Sequence, residues 1–175
     1  MRKLSLKELN RVDTESFRQQ EKTPIVLILD NIRSGLNVGS AFRTADAFAL
    51  EKIYLCGITA TPPHREILKT AIGATDSMAW ESGALIDMVS RLKEEGYTIL
   101  AVEQTNMSIP LQDFHPKKDS KIALIFGNEV KGVHEDVLPL VDAALEIPQY
   151  GTKHSLNISV CLGIVVWDLF RKMKN

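Results

Sequence analysis

The sequence predicts an α/β fold in which a mostly parallel sheet is flanked by helices. Two observations carry this expectation. Strand-like and helix-like segments alternate along nearly the whole chain, the order that builds a parallel sheet with helical crossovers. The clearest strand, Ile25-Val26-Leu27-Ile28-Leu29, is continuously apolar, as expected of a strand covered on both faces.

Taken in order, Ser5-x-x-Glu8 reads as a capping box that opens an amphipathic helix running to about Gln20, ahead of Pro24. The 25–29 strand ends in Asp30-Asn31, and a helix follows from about Val38 to Leu50, then a short strand at Lys52 to Leu55. Residues 61–80 are less regular: Pro62-Pro63 opens the stretch, Arg65 to Thr70 reads as a short helix, and Gly73 breaks it. A helix spans Ala84 to Glu95, with Gly96 as its stop. Further strands are expected at Thr98 to Val102, Ile122 to Phe126 and Ala143 to Ile147. Glu135 to Val141 reads as a short helix with acids in its first turn, and a last helix runs from about Ser155 to Lys174. There is no internal repeat, low-complexity tract or linker, so residues 1–175 read as a single domain.

With 45% hydrophobic residues the chain can fill a core without a disulfide or metal staple. Met1 leads into Arg2-Lys3-Leu4-Ser5 with no apolar run of a signal peptide, and the longest apolar stretch, Ile158 to Trp167, is too short to span a bilayer. A cytoplasmic location is expected, with no membrane partner. Cys56 and Cys161 sit apart in apolar sequence and read as reduced, buried thiols; with no CxxC pair and no clustered histidine, no metal site is expected. The four histidines, His64, His115, His134 and His154, read as surface residues, His154 lying beside Ser155.

The 21 basic and 22 acidic residues leave a formal net charge of −1. Nucleic-acid binding therefore requires basic residues to share one face. Candidate patches are Arg2, Lys3, Lys7 and Arg11; Lys117, Lys118 and Lys121; and Arg171, Lys172 and Lys174, each of which also suits a solvated surface. No GxGxxG follows the first strand and no GxxxxGK[ST] occurs, which excludes an ordinary dinucleotide enzyme or P-loop NTPase.

Ligands of open α/β sheets sit at the carboxyl ends of the strands, and three segments there stand out. In Asn37-x-Gly39-x-x-x-Arg43-Thr44-Ala45, Asn37 suits a helix N-cap, and Arg43 can lean over the bare Gly39 toward the strand ends. Phe126-Gly127-Asn128-Glu129-x-x-Gly132 puts an acid just after a buried strand, to orient a ligand or to complement a helix N-terminus. In Ile147-Pro148-x-x-Gly151-x-x-x-Ser155-Leu156-Asn157-Ile158-Ser159, Ser155 and Asn157 open an otherwise apolar helix, as caps or as site residues.

In order and spacing these three segments resemble the SpoU (TrmH-type) branch of the SPOUT methyltransferases, from about Pro24 to the C-terminus. The resemblance implies a C-terminal trefoil knot, S-adenosylmethionine as cofactor, and methylation of a ribose 2′-hydroxyl in RNA, with tRNA favoured over rRNA. It implies cofactor contacts at Val102, Glu103, Phe126, Gly127, Ile147, Pro148, Ser155, Leu156 and Asn157. It also implies catalytic roles for Asn37, Arg43, Glu129, Ser155 and Asn157, and a homodimer formed through the last helix, which is apolar nearly all round. A guanidinium titrates above ~12, so Arg43 suits holding an RNA phosphate and stabilising an alkoxide better than accepting a proton. The alternatives are a catalytically inactive RNA-binding relative, a methyltransferase acting on a base or small molecule, and a cofactor sensor without turnover.

Overall fold

The computed structural model describes residues 1–5 and 7–174. Its strands are β1 (Thr23–Asp30), β2 (Leu50–Cys56), β3 (Trp80–Gly83), β4 (Tyr97–Val102), β5 (Ile109–Pro110), β6 (Lys121–Phe126) and β7 (Ala143–Glu146). They form one sheet in the order β3-β2-β1-β6-β4-β7-β5, with every neighbouring pair parallel. The expected α/β class holds. The edge strands β3 and β5 are absent from the sequence expectation, being short and without an apolar run.

The helices are α1 (Thr14–Gln19), α2 (Gly35–Ala47), α3 (Arg65–Ala71), α4 (Ala74–Ser77), α5 (Leu85–Glu94) and α6 (Ile158–Lys174). On β1, Ile25, Leu27 and Leu29 face one way and pack with Val38 and Phe42 of α2, Ile67 of α3, and Leu162, Val165 and Leu169 of α6. Val26 and Ile28 face the other way, toward Val89 and Leu92 of α5 and toward Val137. Helices therefore cover both faces, which explains why β1 has no polar alternation. Burial of each such side chain contributes about 1.5–3 kcal/mol.

Several boundaries differ from expectation. The single N-terminal helix from Ser5 to about Gln20 does not form, and its residue Leu6 lies outside the described residues. Glu8 does accept hydrogen bonds from the Ser5 N–H and hydroxyl, both at 2.8 Å, but it caps only a 3-10 turn, Lys7–Leu9. Asn10 then turns left-handed at φ 46°, and Asp13 caps α1 by accepting the Ser16 N–H at 2.9 Å. Among the described residues of this region only Phe17 is buried, and they form no apolar stripe to hold a longer helix together. Glu135–Leu140 is 3-10 rather than α-helical, with Pro139 inside it.

The helix α2 begins at Gly35, and its cap is Ser34, whose hydroxyl accepts the Asn37 N–H at 3.3 Å. Asn37 is thus in the first turn, not at the cap, which frees its side chain. Gly39 also has a different use from the one expected. It lies under α3, where a Cβ would strike the Thr70 hydroxyl and the Ile67 carbonyl. It permits close packing of α2 on α3, so Arg43 does not lean across a bare surface there.

The helix α6 starts at Ile158 rather than Ser155, and it is not covered all round: Leu162, Val165, Val166 and Leu169 are buried, while Val160, Ile164 and Trp167 are exposed. Near its C-terminus Lys172 pairs with Asp168 at 2.6 Å and donates to the carbonyls of Leu111 (2.7 Å) and Phe114 (2.8 Å), tying α6 to the segment after β5. Among the described residues no helix is long and apolar enough to cross a membrane, and no group of three His, Cys, Asp or Glu side chains is arranged to hold a metal ion.

Candidate active site

The carboxyl ends of β4, β6 and β7 open into a cleft of about 850 Å³. Of the residues expected at a cofactor, Val102, Glu103, Phe126, Gly127, Ile147, Ser155, Leu156 and Asn157 line it, and Pro148 does not. Glu129 also lines it, whereas Asn37 and Arg43 lie outside the lining.

Hydrogen bonds between loops set the shape of the mouth. The 128–132 loop folds back on itself: Asn128 and Gly132 exchange backbone hydrogen bonds at 2.9 Å, and the Asn128 Oδ1 accepts the N–H groups of Val130 and Lys131. Gly132 takes the left-handed conformation (φ 72°) that this fold-back needs. A Cβ there would also strike the Glu103 carboxylate, which accepts the Val133 N–H at 3.0 Å. The loop is thereby tied to the end of β4, and Asn128 Nδ2 ties it to β1 by donating to the Asn31 carbonyl at 2.7 Å.

Glu129 reaches the N-terminus of α2. Its carboxylate accepts the Arg33 N–H (3.1 Å), the Ser34 N–H (3.2 Å) and Asn37 Nδ2 (3.1 Å). Asn37 Oδ1 in turn accepts from Asn157 Nδ2 at 3.3 Å. Asn157 Oδ1 accepts the Ser159 N–H at 2.9 Å and so caps α6. One polar chain, Glu129–Asn37–Asn157, therefore joins three segments that lie far apart in sequence. It also joins the first turns of two helices.

The chain matches the SpoU rRNA methylase family over residues 24–167. It belongs to that family. It is 32% identical over 162 residues to an uncharacterized tRNA/rRNA methyltransferase of Borreliella burgdorferi, covering 91% of this chain and 68% of the relative. It is 34% identical over 144 residues to the 23S rRNA (guanosine(2553)-2′-O)-methyltransferase RlmP of Bacillus subtilis, covering 82% of this chain and 57% of that protein. Among solved structures, the AdoMet-bound rRNA methyltransferase of Sinorhizobium meliloti superposes with a TM-score of 0.80 at 25% identity, over 89% of this chain and 59% of that one. The A. aeolicus TrmH/SpoU tRNA modifying enzyme shares the fold, with a TM-score of 0.80 at 22% identity over 92% of this chain and 80% of that one. The chain thus spans only about three fifths of the length of some relatives.

Within this SpoU domain the charge is unevenly placed. Four carboxylates, those of Glu103, Glu129, Glu135 and Glu146, line the cleft against a single lysine, Lys131. Burial opposes the charge on Glu129, but the N–H donors of Arg33, Asn37 and Ser34 outweigh it and hold its carboxyl below the ordinary glutamate range. Arg43 is exposed and, among the described residues, makes no ion pair or side-chain hydrogen bond, so its charge is available. Ser155 is exposed at the cleft edge, three residues before α6.

Several lining residues are not expected from sequence. Leu145, Ile158 and Cys161 read as ordinary core positions, and only the three-dimensional arrangement turns them toward the cleft. Cys161 is accordingly half-buried, not fully buried; burial first, and then Glu103, push its thiol up to about 11. Gln104 carries no motif, yet its side chain donates to the His154 carbonyl at 2.9 Å and pins the 147–157 segment across the cleft.

Proposed function

We propose that this domain methylates a ribose 2′-hydroxyl of RNA, with S-adenosylmethionine bound in the cleft, and that it works as a homodimer through α6. The observation that carries the reading is the Glu129–Asn37–Asn157 chain, which gathers the three family segments at the mouth of one cleft. The cleft also suits the cofactor chemically. Its carboxylates favour a ligand with a sulfonium and an ammonium, while Val102, Leu145, Ile147 and Leu156 offer apolar contact to an adenine ring. The AdoMet-bound relative supports the same ligand, and the ribose methylation for which the B. subtilis relative is named supports the same acceptor.

The cofactor supplies an electrophilic methyl group. The residues of the chain do the rest. Backbone at Val102, Glu103, Phe126, Gly127, Ile147 and Leu156 holds the cofactor. Glu129 stays ionised and fixes the first turn of α2, while Asn157 fixes the first turn of α6. Asn37, held between them, aligns the ribose, and Ser155 contacts cofactor or sugar at the cleft edge. Arg43 binds a neighbouring phosphate and lowers the energy of the developing alkoxide, whose proton passes to solvent water. Alignment of this kind supplies up to about 7–11 kcal/mol in favourable cases. The dimer reading rests on Val160, Ile164 and Trp167, an exposed apolar stripe on a helix whose opposite face, Leu162, Val165, Val166 and Leu169, is buried.

The test is tritium transfer from labelled S-adenosylmethionine to tRNA and to rRNA in parallel, because the sequence favours tRNA while the B. subtilis relative acts on 23S rRNA. Label in alkali-resistant dinucleotides is expected, since a methylated 2′-oxygen cannot assist strand cleavage. Cofactor binding without transfer to any RNA would replace this reading with that of an inactive relative. Label on a base would overturn the ribose assignment.

A further inference from the structure

Three loops surround the cleft, and each ends in an exposed apolar side chain. Met107 is 82% exposed, Val130 77% and Tyr150 96%. Their positions converge, because Asn106, Val130 and Gln149 all line the one cleft. Single exposed apolar side chains are ordinary on a protein surface, but three around one opening are not. The Tyr150 ring makes no hydrogen bond among the described residues and leaves both faces open.

The collar carries both signs of charge, but the Glu129 carboxylate beside Val130 is occupied by the donors at the start of α2, which leaves the lysines as its free charges. Lys131 and Lys153 are exposed beside Val130 and Tyr150, and among the described residues neither enters an ion pair. The cleft is lined by four carboxylates, with Lys131 as its one lysine. A polyanion is repelled from such an interior and attracted to its rim. Aromatic faces beside free cations are the means by which proteins grip unpaired nucleic acid, since every base has a stackable face and a phosphate next to it.

We infer that Tyr150 is a substrate-binding residue on which an unpaired base of the RNA stacks, with Lys131 and Lys153 taking adjacent phosphates. This rests on the proposed RNA substrate and deepens it: the target lies in a single-stranded loop or end, because a base inside a helix presents no free face. The tips of Met107 and Val130 complete an apolar collar around the splayed base.

The experiment compares wild type, Tyr150→Phe, Tyr150→Ala and the Lys131→Ala/Lys153→Ala pair. Each is titrated with a short oligoadenylate strand and with the same strand in a duplex, and separately with S-adenosylmethionine. The single strand is expected to bind wild type better than the duplex does. Tyr150→Ala should lose about 5- to 150-fold in affinity for the strand, and Tyr150→Phe should stay near wild type. The lysine pair should flatten the salt dependence by about 0.7 for each phosphate that is no longer neutralised. In Tyr150→Ala cofactor affinity and particle size should not change. Unchanged RNA affinity in Tyr150→Ala, with methyl transfer by wild type intact, overturns this inference and leaves the enzyme reading standing. Loss of cofactor affinity or of the native particle size in Tyr150→Ala instead assigns the ring to the cofactor or to a subunit contact, and likewise overturns it. If wild type neither binds nor methylates RNA, both readings fall.

Discussion

Glu129 carries a negative charge at the point where two helices begin, and its titration reports directly on the site. Its carboxyl is held below the ordinary value of 4.5 because the folded protein donates hydrogen bonds to the ionised form. The interaction is therefore complete above the ordinary carboxyl range and disappears as pH falls through the lowered value. The amide protons of Arg33 and Ser34, which donate to it, should shift in NMR spectra with a midpoint below 4.5. In Glu129→Gln that transition should vanish. A midpoint at or above the ordinary value would mean that the bonds to α2 do not form in solution. Asn157 is the comparable residue at the other helix, and it has two tasks: it caps α6 and holds Asn37. Asn157→Asp would keep the acceptor for the cap and remove the donor to Asn37.

At the scale of elements, α6 is fastened by its last turns as well as by its apolar face. The Lys172 ammonium is largely buried between Asp168 and the carbonyls of Leu111 and Phe114. Lys172→Met would strand a carboxylate and two carbonyls. Breaking a fully buried pair costs about 3–5 kcal/mol; here Asp168 also has Arg171 at 3.0 Å, so about 2–3 kcal/mol is expected, or about 5–10 °C in melting temperature. A change under 1 °C would show the interaction to be incidental. The same scale shows what the sequence makes legible. Ile25 to Leu29 reads as a strand because its apolar character is local, and Gly96 ends α5 at φ 83° for the reason that makes glycine a stop signal. The strands β3 and β5 owe their form to the backbones of β2 and β7, so nothing in their own residues announces them. Ser34 and Asn37 are both good caps, and the choice between them depends on where β1 hands over to the loop. The Asn37, Glu129 and Asn157 motif residues are legible one at a time; that they touch one another is tertiary, as is the covering of Gly39 by α3.

At the scale of the whole molecule, the exposed stripe of α6 continues into an aromatic cluster. The Phe48 ring lies 5.8 Å from that of Trp167 and 5.2 Å from that of Phe170, and Trp167 remains 52% exposed. If α6 is the proposed two-fold contact, light scattering will give twice the chain mass for wild type and a monomer for Trp167→Glu, because a charge at the centre of an apolar contact cannot be hydrated there. A wild-type monomer would remove the homodimer from the reading. The strand order has a further consequence, for how the protein comes into being. The strand β6 lies between β1 and β4, although it follows both in sequence. Until Lys121 to Phe126 are available, the β3-β2-β1 half ends in a bare apolar edge and β4 has no partner, since its other neighbour, β7, comes later still. Such edges pair readily with other chains, and closing the sheet needs pairings distant in sequence, which are slow to form. The loops that wall the cleft hang from β4, β6 and β7, so the site is assembled in one late event. A nascent chain that stops short of β6 holds no partial version of it, and during synthesis it depends on protection from its neighbours.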